Sequence, residues 1–472
     1  MKKSAIRIVS FIILVVLLLA GINRIFKFKY GDGIYSLSKF YELEDNSVDV
    51  LILGSSHAFE SFNTGVLWDE YGVASYILGG SVQPIWNTYY YLKEALKTQT
   101  PELIILEGYM MVYDKDYFEE SNIIKNTFGL HWSKDKIDAI LASAPEEDRL
   151  DYLLDYSQYH NRYSQISAAD FKVNQGNPLY DNWKGFGCNM DTQPVEFADL
   201  SYVTDEEKPI EKNEKYFRMI MQLAEDKNIP VVVMISPYAW ENEHDRRVYN
   251  TLEKMVKEYD SVFVDFNKLR YEIGLDDECD YADMAHMNYR GNRKFTSYVG
   301  NYIKDNYSIS NRYGDPRYDS WQRDADYLRL IVSDSYLSQA EDLESIGQIL
   351  DNDNYEVFVS FDGDCSNMNN DTKSFINSIG IEIADSNEIW HVCGNKVEWV
   401  STDKNKENYV STRNNEICLR RNEPDGKNEM IVNGEPLTKV SDGINFVIFD
   451  KVTDKVALAF GVDLVDESKI VR

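Results

Sequence analysis

The chain has 472 residues, of which 43% are hydrophobic and 13% aromatic, so it carries enough apolar material for two or three packed domains and wholesale disorder is excluded. Its formal net charge of −30 at pH 7 repels the phosphate backbone of nucleic acids and anionic lipid surfaces. We therefore expect no nucleic-acid partner.

The five cysteines are scattered along the chain, with no Cys-x-x-Cys pair and no Cys/His cluster at zinc spacing. We therefore expect no metal site. The last three, Cys365, Cys393 and Cys418, could supply one disulfide in the C-terminal part, and buried free thiols fit the spacing equally well.

The N-terminus has the pattern of a membrane signal. An apolar run covers residues 8–22. It is preceded by Lys2, Lys3 and Arg7 and followed by Arg24. A short apolar run with basic flanks that can snorkel predicts a transmembrane helix whose N-terminal tip stays in the cytoplasm. A cleaved signal peptide is the alternative, but no Ala-x-Ala site follows. We expect a single-pass cell-membrane protein, anchored through residues 1–29, with the remainder on the extracytoplasmic face.

Residues 30–307 alternate short apolar runs with longer amphipathic stretches. Strands are predicted at residues 48–53, 75–78, 103–106, 230–235 and 262–265, and helices at residues 89–96, 212–227 and 292–303. This alternation predicts βαβ units, that is, an α/β domain with a parallel sheet and helices on both faces. Ligands of such domains bind at the carboxyl ends of the strands.

The rest of the chain departs from this pattern in two places. Residues 126–205 are rich in Tyr, Asp and Asn, and we interpret them as an insertion that packs over the site. Residues 308–326 are polar and predict a linker, after which residues 327–472 predict a second, smaller α/β domain. Its strands are predicted at residues 328–332, 355–359, 444–449 and 456–460, and its helices at residues 338–350 and 373–379.

Two distant segments carry residues suited to nucleophilic catalysis. Ser56 stands in a Gly-Ser-Ser-His segment directly after the first predicted strand, and Asp283 and His286 stand just before the helix at residues 292–303. A serine becomes nucleophilic when a base takes its proton and an acceptor orients that base. Because Asp283 and His286 are three residues apart on one tight turn, the carboxylate can hold the imidazole toward the serine.

A first strand ending in Gly-x-Ser, together with a late Asp-x-x-His before the final helix, resembles the SGNH/GDSL hydrolase superfamily over residues 45–307. The resemblance implies a three-layer αβα domain with Ser56 as nucleophile, His286 as general base and Asp283 as its orienting group. It also implies an oxyanion hole in which the backbone N–H of a strand-end glycine, Gly79 or Gly80, joins that of Ser56.

The sequence departs from the family pattern at two positions. Ser55 stands where an aspartate is usual, and Leu-Glu-Gly-Tyr at residues 106–109 replaces the usual Gly-x-Asn-Asp block. One oxyanion donor is therefore missing, and the side-chain amide of Gln83 or Asn87 could replace it.

Similar departures occur in exported envelope proteins of D-alanyl-lipoteichoic acid biosynthesis and alginate O-acetylation. The resemblance thus implies a serine esterase or O-acyltransferase that acts on acyl esters of a cell-surface glycan and needs no cofactor. Acyl transfer would require a donor, which could be a membrane protein. The alternative is an inactive scaffold or glycan-binding protein of polysaccharide modification or export.

Four further residues are candidates for substrate binding. His57 could contact substrate or serve a structural role, and Glu107, at a strand end, could support the site or be a satisfied structural acid. His160 and Arg162 in the insertion could clamp an anionic group, and pairing at the surface is the alternative.

The C-terminal part has a resemblance of its own. A Tyr-Glu-Val-Phe-Val strand from Tyr355 and a Gly-Ile-Asn-Phe-Val-Ile-Phe-Asp strand from Gly443 resemble the interleukin-like EMT inducer domain over residues 326–465. That family is lectin-like, which implies a glycan- or partner-binding module. A structural appendage is the alternative.

Overall fold

The structure is a computed structural model. It describes residues 2–26, 32–153, 163–164, 166, 168–171, 183–350, 354–382, 388–401, 407–412, 415–421, 426–451, 453–465 and 469–472. The chain divides into two compact units, Met1–Asp326 and Tyr327–Arg472.

The first unit contains a five-stranded parallel sheet with the strand order β2-β1-β3-β4-β5. Its strands are β1 Val50–Gly54, β2 Ser75–Gly79, β3 Leu103–Glu107, β4 Val231–Ile235 and β5 Val262–Asp265. Strands β1 to β4 are buried at every position, as expected for aliphatic runs covered on both faces. The predicted α/β architecture with a parallel sheet is confirmed.

Several helices pack against this sheet, among them Asp32–Phe40, Ile85–Ala95 and Glu243–Lys257. The α-helices that the structure describes in the first unit are Lys2–Phe26, Asp32–Phe40, Ser56–Phe59, Thr64–Tyr71, Ile85–Ala95, Glu120–Thr127, Lys134–Ser143, Arg149–Leu153, Glu211–Asp226, Glu243–Lys257, Arg270–Ile273 and Tyr289–Asn306. The helix Ile85–Ala95 packs against Glu211–Asp226 and Lys134–Ser143, and Tyr289–Asn306 packs against Thr64–Tyr71. The last of these contacts brings the C-terminal end of the unit back to the region after β1.

The N-terminal apolar run lies in the helix Lys2–Phe26. Within the described ranges, no helix combines the length and the apolar character needed to cross a membrane. The predicted transmembrane helix is therefore not supported.

The segment predicted as a linker, residues 308–326, lies within the first unit. The guanidinium of Arg312 donates to both carboxylate oxygens of Asp49, at 2.9 and 2.6 Å. The indole N–H of Trp321 donates to the carbonyl of Ser75, at 3.0 Å. This segment is therefore attached to the first residue of β2 and to the residue just before β1, although both are more than 200 positions earlier in the sequence.

The strand predicted at residues 328–332 is wrong, because a single helix runs over Asp319–Gln339. Its buried side chains include Trp321, Ala325, Leu328 and Val332. These positions follow the i, i+4, i+7, i+11 spacing of a helix face, which a stretch of only five residues, four of them apolar, does not reveal.

The second unit combines two antiparallel sheets with helices. A six-stranded sheet has the order β15-β14-β13-β6-β7-β8, and a four-stranded sheet has the order β12-β11-β10-β9. The strands are β6 Tyr355–Asp362, β7 Ile389–Cys393, β8 Lys396–Ser401, β9 Asn408–Ser411, β10 Glu416–Arg421, β11 Asn428–Val432, β12 Glu435–Pro436, β13 Gly443–Asp450, β14 Lys455–Asp463 and β15 Lys469–Val471.

The central strand β13 is buried on both sides. Its residues Phe446 and Ile448 pack in one core with the helices Leu343–Leu350 and Asn370–Ser378. Its residue Val447 packs in a second core with the four-stranded sheet. Of the predicted disulfide candidates, Cys393 and Cys418 are free thiols. The side chain of Cys365 lies outside the described residues.

Candidate active site

The turn after β1 presents Ser56 at the carboxyl edge of the sheet. Ser55 caps the short helix Ser56–Phe59, and its side chain accepts from the backbone N–H of His57, at 3.4 Å. Ser56 is the first residue of this helix, and a first-turn N–H has no acceptor within its own helix. Gly54 allows the tight turn, because a Cβ there would lie 2.9 Å from the Cβ atoms of both Ala58 and Glu107.

The loop that begins with Ser56 and the loop that carries Asp283 and His286 lie in contact. The Nε2 atom of His286 lies 2.9 Å from the Oγ atom of Ser56, across 230 residues of sequence. The Nδ1 atom of His286 lies 3.0 Å from each carboxylate oxygen of Asp283. An aspartate at Nδ1 favours the tautomer with the proton on that nitrogen, which leaves Nε2 free to accept the serine proton.

The loop that carries the histidine is tightly hydrogen-bonded. The Oδ1 atom of Asp283 accepts from the backbone N–H groups of Ala285 and His286, at 2.7 and 3.0 Å. The N–H of Ala282 donates to the carbonyl of His286, at 2.9 Å. Partial burial raises the pKa of Asp283, but the hydrogen bonds from His286 and Ala285 outweigh it and hold that pKa below its ordinary value. Asp283 is therefore a carboxylate at neutral pH.

A cavity of about 390 Å³ opens beside the serine and the histidine. It is lined by Ser55, Ser56, His57, Val82, Tyr109, Met110, Val112, Tyr113, Asp114, Lys115, Trp240, Asn242, His244, Asp245, Ala285 and His286. A nucleophile, a base and a space for a small ligand thus occur together at the carboxyl ends of β1, β3 and β4, where α/β proteins bind their ligands.

The loop after β2 forms one wall of this cavity. Buried Asp32 anchors it, since the carboxylate accepts from the backbone N–H of Ser81, at 2.8 Å, and from the Ser81 hydroxyl. Val82 lines the cavity and has a φ of 50°. A β-branched residue in the left-handed region is strained, and such strain occurs at functional sites.

Two predicted oxyanion donors stand away from the cavity wall. Gln83 is fully buried, its Nε2 atom donates to the Oγ1 atom of Thr88, at 3.1 Å, and Val82, not Gln83, lines the cavity. Gly80 is packed so closely that a Cβ would overlap the amide of Asn126. The prediction for Gln83 is therefore not supported, since its amide is used inside the protein.

His57 lines the cavity but is almost entirely buried, at 2% exposure. Its ring stacks on Tyr109, with centroids 3.6 Å apart and an interplanar angle of 12°, and its centroid is 5.3 Å from that of His286. Burial, helped by the neighbouring His286, lowers the pKa of His57 well below its ordinary value. His57 is therefore a neutral imidazole whose ring packs between Tyr109 and His286.

Glu107 is 1% exposed at the end of β3, so direct contact of its carboxyl group with substrate is not supported. Both carboxyl oxygens face the backbone N–H of Tyr109, at 3.2 Å, and one faces that of Ser236, at 3.5 Å. The structure thus favours the structural alternative for this acid. His160 and Arg162 lie outside the described residues.

Several residues that line the cavity are not among the predicted site residues, and Trp240 and Tyr109 are two of them. Trp240 follows the end of β4, and Tyr109 follows the end of β3. The signal that could have found them is their position, because residues just after the carboxyl ends of parallel strands form the ligand-binding edge.

The sequence matches no protein-family model and no curated protein.

Proposed function

We propose that this chain is a serine esterase or O-acyltransferase that acts on acyl esters through Ser56, His286 and Asp283. The observation that supports it is the hydrogen-bonded series from the Ser56 hydroxyl to the His286 imidazole, at 2.9 Å, and on to the Asp283 carboxylate, at 3.0 Å. A serine, a base and an orienting acid in this order are what nucleophilic acyl transfer requires.

In the proposed reaction, Ser56 Oγ attacks the ester carbonyl while His286 Nε2 takes the serine proton. The tetrahedral oxyanion is stabilised by backbone N–H groups at the cavity wall, among them that of Ser56. When the C–O bond to the alcohol breaks, His286 gives its proton to the departing oxygen. Water or a second hydroxyl then loses a proton to His286 and attacks the acyl carbon of the acyl-enzyme. As the bond from that carbon to Ser56 Oγ breaks, His286 returns the proton to Oγ and Ser56 is free again.

The proposal also includes the family resemblance, the glycan substrate and the role of the C-terminal module. The triad geometry and the five-stranded parallel sheet support the SGNH-like resemblance of the first unit. The glycan esters and the lectin-like C-terminal module are what the two resemblances imply. Export of the chain by its N-terminal segment stays a prediction from the basic residues and the apolar run.

The test uses the full chain and a fluorophosphonate probe, which labels only an activated serine. We expect labelling of the protein and turnover of 4-nitrophenyl acetate, with both lost in Ser56→Ala. Ser121→Ala is the control, since Ser121 is exposed in the same unit and does not line the cavity, and it should retain both. Equal labelling of Ser56→Ala and the unsubstituted protein would refute the assignment of the nucleophile. No labelling of either would favour a glycan-holding scaffold.

A further inference from the structure

Trp240 is an exposed aromatic residue at the rim of the cavity that contains Ser56. Its side chain is 65% exposed, although it lines the same cavity as Ser56 and His286. Exposed indole leaves a large apolar area in water, and here that area adjoins the cavity that contains a serine and its histidine partner, so a ligand in the cavity can cover it.

The backbone of Trp240 is fixed to the catalytic loop. The N–H groups of Ala239 and Trp240 both donate to the carbonyl of Met284, at 2.8 and 3.0 Å. Met284 stands between Asp283 and His286, so the backbone of Trp240 is held next to the loop that carries the base.

The chain just before Trp240 is anchored as well. Tyr238, two residues before Trp240, is fully buried, and its N–H donates to the Oδ1 atom of Asn267, at 2.8 Å. Its hydroxyl lies 3.1 Å from Asp245 and 2.9 Å from the hydroxyl of Tyr249. Because the backbone is anchored on this side and by Met284, a ligand that stacks on the indole does not have to order the loop.

The cavity combines an aromatic face at its rim with polar side chains that a sugar ring can use. The face of an indole is electron-rich and attracts the weakly positive C–H groups along one face of a pyranose ring. Asp114, Lys115 and Asn242 line the same cavity and offer hydrogen-bonding groups to hydroxyls. The volume of about 390 Å³ is near the lower end of the range of roughly 300–1,000 Å³ for ligand pockets.

We infer that Trp240 is the stacking platform for the sugar ring that carries the ester, so that the site takes a short acyl ester on a carbohydrate. The inference rests on the proposed function, since it assumes that Ser56 attacks that ester.

The test compares kcat/KM for three sugar esters with kcat/KM for 4-nitrophenyl acetate. The sugar esters are 2-O-acetyl xylose, 6-O-acetyl glucose and 6-O-acetyl N-acetylglucosamine. In Trp240→Ala, we expect kcat/KM for the sugar ester, divided by kcat/KM for 4-nitrophenyl acetate, to fall by about tenfold or more for at least one sugar. Trp240→Phe keeps an aromatic face and should recover most of that ratio.

The matched control is Trp132→Ala, since Trp132 is 60% exposed in the same unit but does not line the cavity. Both kinds of substrate should be turned over by this variant as by the unsubstituted protein. A ratio within twofold of the unsubstituted value for all three sugars in Trp240→Ala would overturn the inference. Ser56→Ala separates the two proposals, because undiminished turnover there refutes the triad whatever the result at Trp240.

Discussion

At the scale of single residues, Glu107 is a carboxyl group enclosed at the end of β3. Burial raises its pKa to about 8 from an ordinary value of 4.5, against the opposing hydrogen bonds from the backbone N–H groups of Tyr109 and Ser236. The folded protein therefore holds a neutral acid at pH values where the unfolded chain is ionised.

This difference in protonation between the folded and unfolded states determines how the free energy of unfolding changes with pH. Between pH 4.5 and 8 the folded state binds more protons at Glu107 than the unfolded state does, so the free energy of unfolding falls as the pH rises through this window. Glu107→Gln resembles the neutral acid and should remove the contribution, which over pH 5 to 8 is about 3 kcal/mol. Urea unfolding at pH 5, 6, 7 and 8 measures it.

The control is Glu272→Gln, at an exposed position of the same unit. Its stability should change with pH as in the unsubstituted protein. If Glu107→Gln also followed that pH dependence without change, Glu107 would have to be ionised in the folded state, and its hydrogen bonds to Tyr109 and Ser236 would have to outweigh burial.

At the scale of elements, the loop that carries Asp283 and His286 is joined to the start of the helix Tyr289–Asn306. Asn288 caps this helix, with its Oδ1 atom accepting from the N–H groups of Arg290 and Gly291, at 3.1 and 3.2 Å. A Cβ at Gly291 would overlap the carbonyl oxygen of Asp280, so glycine alone lets the loop approach the first helical turn this closely.

Gly291→Ala should therefore displace the loop and lower ester turnover by at least tenfold, because a shift of about 1 Å at a catalytic group can cost about a hundredfold. Stability should fall by about 1–3 kcal/mol. Turnover of 4-nitrophenyl acetate and the urea midpoint measure the two effects. Arg293→Ala, on an exposed position of the same helix, should leave both unchanged. Unchanged turnover in Gly291→Ala would show that the loop is placed by its own hydrogen bonds alone.

The sequence predicts the elements of the first sheet well, for a physical reason. Strands β1 to β4 are short aliphatic runs buried on both faces, and glycine or serine follows or ends most of them, so composition and length suffice to find them. The helix Asp319–Gln339 was missed because its periodicity is visible only over several turns. A stretch of five residues with four apolar side chains, such as residues 328–332, fits a strand equally well.

Sequence patterns also do not predict every residue that lines the cavity. The triad was predictable, since Ser56, Asp283 and His286 stand at the ends of recognisable elements. Which of Val82 and Gln83 faces the cavity depends on a backbone φ of 50° at Val82. No sequence pattern marks that conformation, because a β-branched residue rarely adopts it.

At the scale of the whole molecule, the chain consists of two units, each with a core of its own. The triad and every residue that lines its cavity belong to Met1–Asp326. In the second unit, Phe446 is fully buried at the centre of its core, stacked on Phe460 with centroids 4.7 Å apart and in edge contact with Phe375.

Truncating this ring tests whether the two cores unfold separately. Phe446→Ala removes a buried aromatic side chain, which costs about 3–5 kcal/mol, and should lower one calorimetric transition while leaving the other in place. Ester turnover below the lowered transition should equal that of the unsubstituted protein. Phe217→Ala is the matched variant in the first core and should lower the temperature at which turnover is lost. A single transition that shifts in both variants, with turnover lost in step, would mean that the cores unfold as one cooperative body.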